Sequence, residues 1–328
     1  MTPVGFLFLP TPPTEQLPIA DFRASLDQTR RQPSSNLLDT LYLCQTRQAW
    51  YRDYAQVQGL GNLDFVESCT LQLPVEEVAQ SIRTKLGFDL DERRALPTWQ
   101  EALRLFIYQA DQVGVMVMCS GIVLNNTHRK LNPEEFRGFA MSDRLAPLIF
   151  INGADSKSAQ MFTLAHEFAH LWLGATGLSD AEAIAESGEA VERWCNRVAA
   201  EVLVSRNVIQ AEIRVNEPLV DAMQRLARRF KVSTLVVLRW MNDVGAVPPG
   251  GYRQAYRAEV ARIAEIQRAG GGGNFYLSQA ARVSKRFARA LFESTLEGNT
   301  LYRDAMRMLG VSKMKTFNEL GRTLSFPI

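Results

Sequence analysis

Histidine is scarce in this chain, with three copies in 328 residues. Cysteine is nearly as rare. Cys44, Cys69, Cys119 and Cys195 are widely spaced and form no CxxC pair, which excludes a metal knuckle or a disulfide framework and leaves reduced, mostly buried thiols. No charge of one sign dominates: 37 Lys and Arg face 35 Asp and Glu. Bulk electrostatics therefore give no reason to expect a nucleic-acid partner. Long apolar runs are missing too. None approaches the roughly 18 residues of a membrane span, and Pro10, Pro12 and Pro13 interrupt the apolar opening early, against a secretory signal. A cytoplasmic location is expected. What remains is 46% hydrophobic content, enough for a sizeable core in one or two domains.

Residues 1–35 are rich in proline and read as an extended arm. Leu37, Leu38, Leu41, Leu43, Trp50 and Tyr54 then predict a helix from Asn36 to about Gln58. A second helix is predicted over Val75–Leu86, after Pro74 and before Gly87, and a third over Thr98–Gln112. The period then changes. Val113–Cys119, Gly138–Met141 and Pro147–Asn152 are short apolar runs that read as strands of a small sheet.

Two of the three histidines fall in one pentapeptide, His166-Glu167-Phe168-Ala169-His170, inside an apolar run from Met161 to Gly174. A helix turns about 100° per residue, so positions i and i+4 share a face. His166 and His170 can then reach one metal ion, with Glu167 beside it to take a proton from water. The run is apolar nearly all round, as a buried helix is, and buried imidazoles and carboxylates need partners. A zinc hydrolase needs a third protein ligand. The downstream acids are Asp180, Glu182, Glu186, Glu189, Glu192 and Glu201. A second helix over Ala190–Val204 places Glu192 in its first turn and Asn196 one turn later on the same face. That spacing favours Glu192 as ligand and Asn196 as the amide that orients it. Glu201 lies over two turns further on.

These residues resemble the ImmA/IrrE family of zinc metallopeptidases. The likeness rests on Thr163–His170 and on Glu192-Arg193-Trp194-Cys195-Asn196-Arg197-Val198-Ala199-Ala200-Glu201-Val202-Leu203, and it extends over roughly residues 65–250. The family pattern is Glu-x-x-x-Asn-x-Phe-Ala-Ala-Glu-Leu-Leu-Met-Pro, and it implies Glu192 as the third zinc ligand. Val198, Val204 and Ser205 replace its Phe, Met and Pro, which puts the end of the helix in doubt. Some relatives carry an N-terminal helix-turn-helix of the phage-repressor type, and Met1–Pro10 resembles the tail of such a domain without its DNA-reading helices. Family members typically cleave a repressor-like DNA-binding protein, which implies a protein substrate here.

Further expectations concern the surroundings. Leu148–Asn152, with Leu148, Phe150 and Asn152 named for substrate contact, is expected to offer an edge to which an extended substrate pairs; an ordinary core strand is the other reading. His128 reads as a solvated loop residue or, on a mobile loop, as a transition-state donor. Leu219–Met241 has the spacing of a helix-turn-helix with Ser233 as a cap. Its second helix is too apolar to read DNA, so a structural role is favoured. Residues 251–328 hold thirteen Lys or Arg against six Asp or Glu, and a helix is predicted from about Ser278 to Leu296 after Gly270–Gly273. A solvated basic face is the plain reading; contact with an acidic partner or nucleic acid is the other.

The fold class expected is α+β: a mostly helical, zincin-like metallopeptidase domain with a small mixed sheet, plus a helical C-terminal region. The divisions are 1–60 (arm and helix), 61–207 (peptidase), 208–250 (helical subdomain) and 251–328 (basic helical region). The expected activity is a Zn²⁺ metalloendopeptidase with His166, His170 and Glu192 on the ion, Glu167 as acid-base and Asn196 as support. Its partner would be a repressor-like or toxin–antitoxin protein. The alternative is a regulatory or antitoxin-like binding protein that keeps zinc only as structural cement.

Overall fold

The computed structural model describes residues 17–21, 33–179, 190–214, 216–267 and 282–326. Its helices are α1 (Ser35–Val57), α2 (Val75–Leu86), α3 (Leu90–Ala95), α4 (Trp99–Gln112), α5 (Lys157–Leu173), α6 (Ala190–Leu203), α7 (Arg206–Glu212), α8 (Leu219–Phe230), α9 (Thr234–Asp243), α10 (Tyr252–Gln267), α11 (Lys285–Leu296), α12 (Tyr302–Leu309) and α13 (Met314–Thr323). The strands are β1 (Ala20–Asp21), β2 (Met116–Ser120), β3 (Gly138–Met141), β4 (Leu148–Asn152) and β5 (Gly177–Ser179). This is a mostly helical α+β architecture around a small mixed sheet. No helix among the described residues is long and apolar enough to cross a membrane.

Local chemistry sets many of the boundaries. Ser34, Thr98 and Ser233 each accept a backbone N–H at a helix start, as short hydroxyl side chains do at N-caps. Gly87 closes α2 in the left-handed conformation. The predicted helix from Ser278 is corrected: Arg282 and Val283 are helical, then Ser284, at φ 65°, interrupts the chain before α11. Gly270–Gly273 and Ser278 itself lie outside the described residues.

The sheet order is β1-β5-β3-β4-β2. β4 pairs parallel with β2 and antiparallel with β3, and β5 pairs antiparallel with β3 and parallel with β1. The expected substrate edge at Leu148–Asn152 is therefore corrected. β4 is an inner strand whose backbone is paired on both sides, and all five of its residues are buried.

Strand alternation sorts the core into two layers. Val117, Ala140, Ile149 and Ile151 face a core shared with α2, α4, α5, α6, α8 and α9. Met116, Met118, Phe139, Met141, Leu148 and Phe150 face the other way, onto α1, α11, α12 and α13. There Phe139 and Phe150 stack at 5.0 Å. The segments near the two ends of the chain thus share one face of the sheet, and the HExxH helix lies on the other. The helix-turn-helix-like pair belongs to the metal-side core, where Leu235, Val236, Val237, Leu238 and Trp240 are buried.

Candidate metal centre

The turn after β4 aims α5. Asn152 donates its amide to Phe136 O and accepts the N–H of Ala154, and Ser156 caps the helix through the N–H of Ala159 at 3.2 Å. Every residue from Ala159 to Trp172 is buried, as an all-round apolar run requires. Phe168 lies against Phe106, and Trp172 stacks on Phe65 at 4.4 Å. At the far end Gly174 turns the chain at φ 76°, and the N–H groups of Glu67, Ser68 and Cys69 donate to the carbonyls of Leu171 and Trp172. Both ends of the helix are pinned.

α6 lies along α5 and ends at Leu203 without the Met-Pro stop of the family pattern. Arginines supply the stop instead. Arg83 of α2 donates to Glu201 O at 2.5 Å, and the buried Arg93 of α3 donates to Leu203 O. Cationic donors suit the negative end of a helix.

Between these helices His166 Nε2 and His170 Nε2 are 3.0 Å apart. Glu192 places one oxygen 3.2 Å from His166 Nε2 and the other 3.0 Å from His170 Nε2. A tetrahedral ion with bonds of about 2.0–2.1 Å needs ligand atoms roughly 3.3 Å apart. The triangle has that size within a few tenths of an ångström. Among the described residues no other donor reaches the Glu192 oxygens, which are buried, and this is the one cluster of His, Cys, Asp and Glu with metal-ligand proximity. The residues fit a divalent ion.

Electrostatics within the cluster follow from burial and charge. Burial pulls the His166 imidazole down, yet the facing Glu192 carboxylate outweighs it and the net direction is up. Burial holds His170 below the ordinary histidine range. Burial pushes Glu192 up, but the two imidazoles more than reverse this and hold it at about 2. An ionised carboxylate beside imidazoles is the protonation pattern that a cation would take over. Cys195 differs: burial, and then the charges of Glu192 and Glu167, push its thiol well above the usual range, which favours the neutral thiol.

Residues 110–241 match the family model described as the IrrE N-terminal-like domain, a peptidase family. Over those residues the chain is similar to the IrrE-like peptidases. The match runs from the end of α4 through β2–β5, α5 and α6 to α9, so the helix-turn-helix-like pair falls inside the matched segment. Residues 283–323, which hold α11–α13, match a domain of unknown function (DUF8813). No curated protein matches the chain.

Within the matched segment the structure brings His166, His170 and Glu192 together, with Glu167 and Asn196 adjacent. It does not bring the other candidates there. Leu148 and Phe150 point to the opposite face of the sheet, and Asn152 is spent on the turn before α5. Glu201 accepts the N–H of Arg206 instead. His128 is exposed, on a loop that Arg129 ties to Asn36 and Asp39 of α1. Asp180, Glu182, Glu186 and Glu189 lie outside the described residues.

Two features had no signal in the sequence. A Cβ on Gly138 would meet Thr163 Cγ2 at 2.5 Å, Phe150 O at 2.8 Å and Glu167 Oε1 at 3.1 Å. Only glycine lets β3 approach the Glu167 carboxylate so closely. Phe162 and Asn196, each one turn from a candidate ligand, also line a shallow surface cleft with Ala200, Val236, Arg239 and Trp240.

Proposed function

We propose that this protein is a zinc-dependent metalloendopeptidase. The observation that carries the reading is the convergence of His166 Nε2, His170 Nε2 and the Glu192 carboxylate at 3.0–3.2 Å next to Glu167. Two imidazoles and a carboxylate are the donor set of zinc hydrolases that keep one position open. When bound, zinc supplies Lewis acidity and lowers the pKa of a water in that position. Glu167 takes the proton of the attacking water and delivers it to the leaving amine. Gly138, having no side chain, lets β3 come close to the Glu167 carboxylate. Asn196 lies against His166 and orients the ring.

The substrate class follows from the family resemblance: a regulatory, repressor-like DNA-binding protein cut at few sites, which would place the protein in transcription regulation. The second reading is a binding protein with structural zinc. It draws on burial, because Glu167 and His170 expose no surface, whereas a catalytic centre must admit water. Glu167, a carboxylate set beside the three donors and not one of them, favours the peptidase.

Glu167→Gln separates the two. Zinc content, measured by elemental mass spectrometry, should stay at one equivalent. Cleavage of a repressor-like protein, followed by intact-mass analysis, should fall by about 10²–10⁴-fold, the usual worth of a general acid-base. Undiminished cleavage by this variant would refute the mechanism, and unchanged regulatory output without any cleavage would favour the binding protein.

A further inference from the structure

The segment matched as a domain of unknown function, residues 283–323, holds three helices that pack on one another. Phe292 of α11 lies 4.4 Å from Phe317 of α13, and Tyr302 of α12 meets the same ring edge-on at 5.6 Å. α12 has eight residues, α13 has ten, and Gly310-Val311-Ser312-Lys313 joins them. Gly310 makes the turn at φ 70°, where a side chain would be strained. Ala305, Met308 and Leu309 of α12 are buried. Two helices on a short glycine turn, backed by a third, have the layout of a helix-turn-helix.

The pair α8–α9 has a similar spacing, but its second helix is buried in the metal-side core. α13 is not. Phe317, Leu320 and Gly321 hold one side of it against the bundle. Met314, Lys315 and Asn318 fall on the other side, with Met314 and Lys315 exposed. Lysine donates to guanine and asparagine pairs with adenine in the major groove of DNA. The surface around them is basic. From Leu301 to Phe326, Arg303, Arg307, Lys313, Lys315 and Arg322 stand against Asp304 and Glu319, five cations to two carboxylates. The side chains of Arg303 and Arg307 are 85% and 78% exposed and share Asp304 at 3.7 and 3.4 Å. Pairs so exposed hold weakly and give way readily to phosphate.

The back of the pair is tied to the body of the protein. Arg47 of α1, 3% exposed, donates from Nε and Nη2 to Met308 O at 2.9 and 2.7 Å. Asn125 donates its amide to Gly310 O at 2.5 Å. These bonds fix α12 and the turn against the sheet face away from the metal centre, while the outer face of α13 stays in solvent. We propose that α12 and α13 bind double-stranded DNA. α13 lies in the major groove with Lys315 and Asn318 towards base edges, and Arg303, Arg307 and Lys313 contact phosphates. Duplex DNA suits this surface better than duplex RNA, whose major groove is too narrow for a helix. The inference goes beyond the peptidase reading and needs neither zinc nor Glu167.

Fluorescence anisotropy of the full chain with a labelled 24-base-pair duplex of mixed sequence tests this. Four neutralising cations predict a slope of log affinity against log salt of about −3.6, a loss of about 150-fold between 50 and 200 mM salt. Lys313→Gln combined with Lys315→Gln alters only exposed side chains, so the melting curve should not move. It should weaken binding at least about 10-fold at 50 mM salt and reduce the slope by about 2. Arg104→Gln with Arg228→Gln removes the same charge on the metal side, including one residue of α8, and should change neither. Asn318→Ala should lose the sequence preference recovered from a randomised duplex library. Four results would each overturn the proposal: no duplex binding tighter than about 100 μM at 50 mM salt, equal weakening by the two double variants, a library that enriches no sequence, or tighter binding of single-stranded RNA of the same length. Displacement of the duplex by polyglutamate at equal charge would do the same, marking an acidic protein as the partner instead.

Discussion

On one face of the sheet two imidazoles and a carboxylate converge on a point. On the other, a guanidinium just as deeply buried, that of Arg47, spreads its bonds over a helix-end carbonyl and a thioether. Both arrangements bury charge, yet they ask for different partners. The first triangle has the dimensions of an ion's coordination sphere and carries its own anion in Glu192. The second offers donors alone. Burial alone therefore does not mark a metal site. Convergence of lone pairs is what a cation needs, whereas Arg47 spends its N–H groups on the carbonyl of Met308.

The largest effect that would sharpen this contrast is His166→Ala. Loss of one ligand should weaken zinc by more than about 100-fold, since even a partner of a ligand is worth 10–100-fold. Metal content after dialysis should drop from one equivalent towards none. The surroundings of Arg47, on the other side of the sheet, should be untouched. Retention of a full equivalent would break the comparison at its base.

Gly138→Ala acts next. The added methyl must displace Thr163 or the Glu167 carboxylate, and a misplacement of 1 Å can cost up to about 100-fold. Turnover should fall by about 10–100-fold with zinc content unchanged. A variant with full turnover would show that β3 does not set the position of Glu167.

Arg47→Met examines the other face. Met308 O would lose both of its N–H donors from Arg47, an effect of about 1–3 kcal/mol on unfolding by urea, while zinc content stays at one equivalent. Loss of metal in this variant would show that the two faces are not independent.

The smallest effect is in pH. In the metal-free protein Glu192 is held down to about 2 from 4.5. Its stabilisation is complete above 4.5 and is lost as pH falls towards 2. His166 is raised from 6.5, so its stabilisation is complete below 6.5 and is lost as pH rises through the higher folded value. Glu192 and His166 together should stabilise the metal-free fold most between pH 4.5 and 6.5, and His170, held low, works against them as pH falls below 6.5. Zinc reverses the acid side of this, because it needs deprotonated imidazoles and its affinity falls with falling pH. Urea midpoints of the metal-free protein across this range check the sign, and Glu192→Gln should flatten the profile.

The chain told a reader most where the rule is local. His166 and His170 share a face because four residues make about one turn, and Ser34, Thr98 and Ser233 start helices because a hydroxyl satisfies an N–H two or three residues on. Glu192 was legible too, through helical spacing and the family pattern. Leu148–Asn152 was not. An apolar run of five reads alike at an edge or in the centre of a sheet, since pairing on each side is set by β2 and β3, distant in sequence from one another. Ser284 shows a milder version: a helical pattern ran through it, and a positive φ interrupted the helix.

The sequence by itself determined the donor set, the helix that carries it and the carboxylate of Glu167 beside it, because each follows from periodicity over one or two turns. Only the tertiary structure decided that Gly138 must lack a side chain, that arginines from α2 and α3 end α6, and that Arg47 is buried at the end of α12. Those outcomes arise where segments far apart in the chain come within a few ångströms, and packing at that range leaves no period in the sequence to read.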